Sequence, residues 1–198
     1  MQEGHSFPPL SVDIPKVFYS DLTGTLMDKC ISCECNLLVS GTEYVIEKAL
    51  KPYKGYSSYS TIFEYAMCMP CAGKMRNLIS AHSMKNINQY FSQNFDPNRT
   101  RRKLLENENS DVENWLNRCI VKDIIIGDLS ECQVYAQCSG EQMLLGHFPY
   151  MVSGVALDEV VDLLSQETLD DLDKFKNEFV DGPSEFQDLL QSGPKVFF

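Results

Sequence analysis

The sequence predicts an α+β fold built from two related halves in tandem, the first stabilised by a metal ion and the second free of one. Three observations predict it. Two Cys-x-x-Cys pairs, Cys30/Cys33 and Cys68/Cys71, bracket a segment with the pattern of a β-hairpin. The second pair stands where the periodicity turns helical. A weak internal repeat carries this order of elements into residues 113–182.

Composition bounds the function classes. The chain has 198 residues, 43 % of them apolar and 23 % charged, which is a globular composition of one ordinary domain or two small ones. The formal charge of -11 argues against nucleic acid as a partner, because neutralising phosphates takes clustered Lys and Arg. No apolar run reaches the length needed to span a bilayer, so no membrane association is expected. Met1–Leu10 has neither a basic nor an apolar signal region. A cytoplasmic setting with reduced thiols is therefore the expectation, and close cysteine pairs then read as metal ligands rather than disulfides.

Residues 1–27 form an N-terminal extension, with Val17–Leu26 read as a strand and turn entering the metal-binding half, 28–95. Glu43–Leu50 is rich in β-formers and reads as a strand. Lys51–Ser60 is turn-prone, and Thr61–Met67 returns as a second strand running into Cys68. Beyond Cys71, Met75, Leu78 and Ile79 recur at helical spacing. A two-residue gap lets both thiolates of a pair turn toward one ion, and two such pairs complete a tetrahedral shell. Cys30, Cys33, Cys68 and Cys71 are thus the candidate ligands of one structural Zn2+. A helix N-terminus at Cys68 and Cys71 would favour their thiolates. Cys35 is read as a neighbouring thiol outside the ligand set, since Cys33 gives the better spacing. The order of knuckle, hairpin and Cys-x-x-Cys at a helix start resembles the treble-clef group of zinc fingers, related to zinc ribbons. The resemblance covers about residues 28–80 and implies an architecture, not one family.

Residues 96–112 read as a linker, with the basic run Arg99–Lys103 followed by Glu106, Glu108 and Asp111. The second half, 113–182, aligns with the first. Tyr65 falls on Tyr150, Met67 on Val152, Cys68 on Ser153, Cys71 on Ala156 and Tyr90 on Phe175. With slippage upstream, Cys30 falls on Cys119 and Cys33 on Lys122. The fold expected is therefore two tandem treble-clef-like halves, the second degenerate and metal-free. Its core is expected from Ile124, Ile125, Ile126, Val134, Met143, Leu144 and Leu145. A second metal on Cys119, Cys132, Cys138 and His147 is disfavoured, because those spacings are not knuckle-like. Ser153 is placed to cap a helix burying Leu157, Val160, Val161 and Leu164. Ser165 or Thr168 starts another, with Leu169, Leu172, Phe175 and Phe179 along its apolar stripe. Gly182-Pro183 ends it. Residues 157–190 hold eleven carboxylates against Lys174 and Lys176, a solvated face or a dock for a basic protein. Residues 183–198 form a tail with an apolar end at Pro194–Phe198.

A second resemblance lies upstream. Val17–Leu26, an apolar stretch followed by Asp21-Leu-Thr-Gly-Thr25, is similar to the first motif of haloacid-dehalogenase-type phosphatases. The resemblance implies Asp21 as a nucleophile beside magnesium, with Asp128 after Ile124–Gly127 as a late acidic motif. Thr23 stands where that family has its acid/base aspartate, and residues 30–71 read as knuckle and hairpin rather than parallel βα units. His5, His82 and His147 stand at no catalytic spacing. The expectation is a non-enzymatic, zinc-stabilised adaptor or regulatory protein that binds another protein. Tyr53, Tyr56 and Tyr59 are its candidate contact loop, and a homodimer is compatible. The alternative is the Asp21 phosphatase.

Overall fold

The computed structural model describes residues 10–56, 58–95 and 112–180. Six strands make one sheet: β1 (Leu10–Asp13), β2 (Glu43–Pro52), β3 (Tyr59–Cys68), β4 (Cys132–Ser139), β5 (Gln142–Leu145) and β6 (Tyr150–Ser153). The order is β1-β5-β4-β2-β3, with β6 on β4, and every strand pairing is antiparallel. The helices are α1 (Met69–Arg76), α2 (Ala81–Asn94), α3 (Val112–Leu116), α4 (Gly154–Val161) and α5 (Gln166–Phe175). No helix among the described residues is long and apolar enough to cross a membrane. The parallel βα frame implied by the phosphatase resemblance does not form among the described residues.

The expected strands at 43–50 and 61–67 are present, each slightly longer. The second half pairs with the first across β2 and β4, from Glu43↔Ser139 to Leu50↔Cys132. Flanked on both edges, β2 is buried from Ile46 to Leu50, and β4 from Cys132 to Ala136. Such strands need apolar residues on both faces, and their charged members need partners. Lys48, fully buried, donates to the Tyr19 carbonyl at 2.7 Å and pairs with Asp21 at 3.1 Å and Glu64 at 2.9 Å. Glu47, equally buried, accepts from the Tyr65 hydroxyl at 2.5 Å. Both halves supply one continuous core, including Tyr44, Ile46 and Met67 from the first and Val134, Met143 and Met151 from the second.

Two local expectations are corrected. Val17–Phe18 is no strand: Lys16–Phe18 turns as a 3-10 helix after Pro15, which tucks Phe18 into the core, and the N-terminal strand lies earlier, at Leu10–Asp13. Of Ile124–Ile126, expected in the core, Ile126 alone packs against it, where it opens a 3-10 turn to Asp128, while Ile125 is exposed. An apolar run of three carries no register of its own, and here the chain uses it to leave a tight loop. Leu144 and Leu169 are only partly buried.

The helix caps agree with expectation. The Ser153 hydroxyl accepts from the Ala156 N–H, and Ser165 from Thr168. Ser80 likewise caps α2 by accepting from Ser83. The starts of α2 and α5 also interlock. The Ser80 N–H donates to the Thr168 hydroxyl at 3.0 Å and the Ser165 N–H to the Ser83 hydroxyl at 2.8 Å, while the Ser80 and Ser165 hydroxyls meet at 3.0 Å. Of the predicted linker at 96–112, Val112 opens α3, while the rest of it, the Gly182-Pro183 stop, the tail and His5 lie outside the described residues.

Candidate metal centre

The first knuckle is a tight loop closed by backbone bonds. Cys30 donates to the Cys35 carbonyl at 3.0 Å, Glu34 to Cys30 at 2.9 Å and Leu37 to Asp28 at 2.8 Å. Glu34 takes the left-handed conformation, φ 58°, that turns the chain back. The Ile31 N–H then donates to the Ala66 carbonyl at 2.9 Å, seating the loop against β3. Cys68 ends β3 and is the N-cap of α1, with Pro in the first turn and Cys71 within it. Proline is favoured there because the missing N–H would have no helical partner. The helix therefore begins before Cys71, at Met69, so its unpaired N–H groups lie at the end where Cys68 and Cys71 stand.

The four expected ligands converge. The sulfurs of Cys30, Cys33, Cys68 and Cys71 all lie within 4.8 Å of one another, and Cys33 and Cys68 are 3.7 Å apart. A tetrahedral ion with metal–sulfur bonds of about 2.3 Å holds its ligand sulfurs about 3.8 Å apart, so the spacing and the soft donor set fit a bound metal. Burial first of all pushes the Cys68 thiol up to about 11 and the Cys71 thiol up to about 12. A cation at the centre would reverse this and make both thiolates. Exposed Cys33 is pulled down to about 6, first by the Cys35 N–H and then by the Cys35 thiol. Cys35 stays outside the group of four, and its thiol is pushed up, first of all by the neighbouring Cys33 thiol.

The loop at Cys119 repeats this geometry. Cys119 donates to Ile124 at 2.9 Å, Asp123 to Cys119 at 2.9 Å and Ile126 to Asn117 at 2.9 Å, with Asp123 at φ 56°. Ile120 donates to Met151 on β6 at 2.8 Å. The Cys119 sulfur accepts from the Ser153 N–H at 3.2 Å, as the Cys30 sulfur accepts from Cys68 at 3.4 Å. At the places of Cys33, Cys68 and Cys71 stand Lys122, Ser153 and Ala156. Lys122 pairs with Glu159 of α4 at 2.6 Å, and the Tyr90 hydroxyl donates to the same carboxylate at 2.7 Å. Together they hold the Glu159 carboxyl below its usual range. Among the described residues, Cys119, Cys132, Cys138 and His147 do not form a second group close enough to share an ion.

Asp21 is anchored rather than open. One carboxylate oxygen accepts from Lys48 at 3.1 Å, the other from the Thr61 hydroxyl, and its N–H donates to Glu64 at 2.9 Å. Burial pushes the Asp21 pKa up, but Thr61 and Lys48 outweigh it and hold the carboxyl low. Asp128 is exposed at the end of its turn, and Asp21 and Asp128 belong to no such ligand group. Exposed His82 contacts Asn86, while Tyr53 and Tyr56 are exposed on the β2–β3 loop and Tyr59 at the first position of β3.

Sequence reasoning missed the Lys48 clip and the Glu159 partner of Lys122. A lysine and a glutamate amid an otherwise apolar strand were a usable signal for buried pairing; Glu159, one carboxylate in an acidic helix, offered none. Comparison with known protein families, with curated proteins and with solved structures finds no match.

Proposed function

We propose that this chain is a non-enzymatic, zinc-stabilised protein-interaction protein of adaptor or regulatory kind. On this reading it consists of two tandem treble-clef-like halves, the first holding one structural Zn2+ and the second metal-free. The observation that carries the reading is the convergence of four thiols from a knuckle and a strand–helix junction. A shell of four thiolates leaves no open coordination position, which suits a structural ion rather than a catalytic one.

The matched bonds of the two loops support the tandem reading. So does the sheet: Tyr44↔Cys68 and Glu47↔Tyr65 in the first half correspond to Cys132↔Ser153 and Tyr135↔Tyr150 in the second. Under that correspondence Glu47 matches Tyr135, and these two residues face each other where β2 meets β4. An approximate two-fold axis through that pair would also pass between the Ser80 and Ser165 hydroxyls, where the caps interlock. In the second half the Lys122–Glu159 pair ties loop to helix where the first half would use the ion. A pair this exposed contributes only about 0.2–1 kcal/mol, so the core must supply the rest.

The exposed tyrosines of the β2–β3 loop are the contact surface on this reading, since Tyr offers apolar area and a polar tip at low entropy cost. A basic protein would suit the acidic α4–α5 surface, and a reducing compartment such as the cytoplasm would suit eight free thiols. Elemental analysis of protein purified reduced and without chelator tests the metal. About one zinc per chain, lost in Cys68→Ser, is expected. A partner whose capture requires Tyr56 but not Asp21 would support the adaptor reading. Magnesium-dependent hydrolysis of phosphate esters that vanishes in Asp21→Asn would overturn it.

A further inference from the structure

The five thiols around the candidate metal centre divide sharply by exposure. Cys30, Cys68 and Cys71 are 1 %, 4 % and 5 % exposed, whereas Cys33 and Cys35 face solvent. A small oxidant arriving from water therefore meets one ligand sulfur and one sulfur outside the ligand set, two residues apart on the same tight loop. The left-handed turn at Glu34, between them, folds that loop back on itself, and the Cys30 N–H closes it on the Cys35 carbonyl at 3.0 Å. The loop itself does not need a cysteine at this place. Ile124 occupies the matching position in the second loop and accepts the same backbone bond, Cys119 N–H to Ile124 O at 2.9 Å. The fifth thiol is thus surplus both to the backbone turn and to a four-ligand shell.

We propose that Cys33 and Cys35 form a peroxide-reactive pair that opens the zinc site by closing a disulfide. This rests on the zinc reading above. The Cys33 thiolate attacks one oxygen of hydrogen peroxide; an S–O bond forms, the O–O bond breaks, and the departing hydroxide takes a proton to become water. The sulfenic acid so formed is a poor ligand. Cys35 gives up its proton and attacks the Cys33 sulfur; the S–S bond forms, the S–O bond breaks, and the second hydroxide leaves as water. Two sulfurs are oxidised by one equivalent of peroxide, which is reduced to two waters. The ion is left with three thiolates, all buried, loses the ligand that closes its solvent side, and passes from this weakened site to a competing chelator. An accessible thiolate beside a resolving cysteine is the arrangement that reversible thiol oxidation requires.

The test uses the full chain, loaded with zinc and freed of reductant. Hydrogen peroxide is titrated in, released zinc is read with a chromogenic chelator, and disulfides are mapped by peptide mass spectrometry. Zinc release in step with a Cys33–Cys35 disulfide, reversed by dithiothreitol and added zinc, is the expected result. In Cys35→Ile, which copies the second loop, zinc content before treatment should match the original chain. Peroxide should then drive Cys33 onward to the sulfinic acid, and zinc binding should not recover. Retention of zinc under peroxide, release with any other disulfide, or recovery in Cys35→Ile equal to that of the original chain would each overturn the proposal alone. A chain without zinc before treatment would overturn the four-cysteine zinc reading itself, and this proposal with it.

Discussion

Chelating the metal should separate the two loops, because they share a backbone geometry and differ in what holds it. In the first, the amides of Cys30, Ile31, Glu34 and Leu37 each donate within the loop or to β3; in the second, Cys119, Ile120, Asp123 and Ile126 make the matching bonds. On the zinc reading, opening the first loop means breaking those bonds and also releasing two of the four ligand thiols. If free zinc stands about a thousandfold above its dissociation constant, the bound ion contributes about 4.1 kcal/mol against such opening. That corresponds to about a thousandfold slower exchange at those four amides. Nothing comparable protects the second loop, where the Lys122–Glu159 pair, 29 % and 42 % exposed, is screened by water. Amide hydrogen exchange before and after chelation measures both loops in one sample, with the second serving as control. The expected result is a loss of protection at Cys30–Leu37 of that order, with change at Cys119–Ile126 smaller by at least a factor of about ten. Equal losses in both loops, or none in the first, would refute the claim that the ion alone distinguishes them.

Further outcomes follow from particular contacts. Lys48→Met leaves Glu64, 17 % exposed, without its cation and should cost about 3 kcal/mol in urea unfolding, whereas Asp21→Asn, at an aspartate 55 % exposed, should cost less than about 1 kcal/mol. Ser83→Ala removes the acceptor of the Ser165 N–H, and Thr168→Val that of Ser80. Each should destabilise by about 1–3 kcal/mol, and the double variant should fall short of their sum because the hydroxyls share one network. Burial pushes the Cys132 and Cys138 thiols up to about 12 each. The unfolded chain ionises them near pH 8.5–9 while the fold keeps them protonated, so their stabilisation is complete below that range and is lost as pH rises. Between pH 9 and 10 they should together remove up to about 2.8 kcal/mol per pH unit, a slope that Cys132→Ala with Cys138→Ala abolishes in alkaline denaturation curves.

What could be read from the chain and what could not divides along locality. The cysteine spacing names its own geometry, since a two-residue gap constrains both thiols to one side of a loop, and all four ligands meet as expected. The caps at Ser153 and Ser165 were equally legible, because a hydroxyl before an amphipathic run answers to N–H groups three residues away. Long-range pairing was not. Nothing in Val45–Leu50 announces that its open edge takes Cys132–Gln137, since antiparallel register is set by mutual burial and not by either strand alone. The Val17–Phe18 strand and the core place of Ile124 and Ile125 failed for a related reason. Each is a short apolar run whose conformation is decided by its neighbour, Pro15 in one case and the turn at Asp123 in the other.

The position of each loop in the sheet does not explain why one would need an ion and the other would not. Both lean on a strand paired with one other strand, the first on β3 through the backbone bond from Ile31 to Ala66 and the second on β6 through that from Ile120 to Met151. The difference lies in the helix that follows each strand, and it is clearest for the second loop. Its helix, α4, buries Ala156, Leu157 and Val160, whereas α1 buries Cys71, Ala72 and Met75, one of them a ligand. Ala156 is the residue that replaces that ligand. Exchanging a thiol that must be ionised and coordinated for a methyl group that packs without cost converts a metal-dependent contact into an apolar one. On the tandem reading, the ion would then persist only where the helix after the strand carries a thiol in place of that methyl group. Within residues 28–80, the dependence of folding on zinc should accordingly fall on the knuckle and the start of α1 and leave the β2–β4 ladder intact.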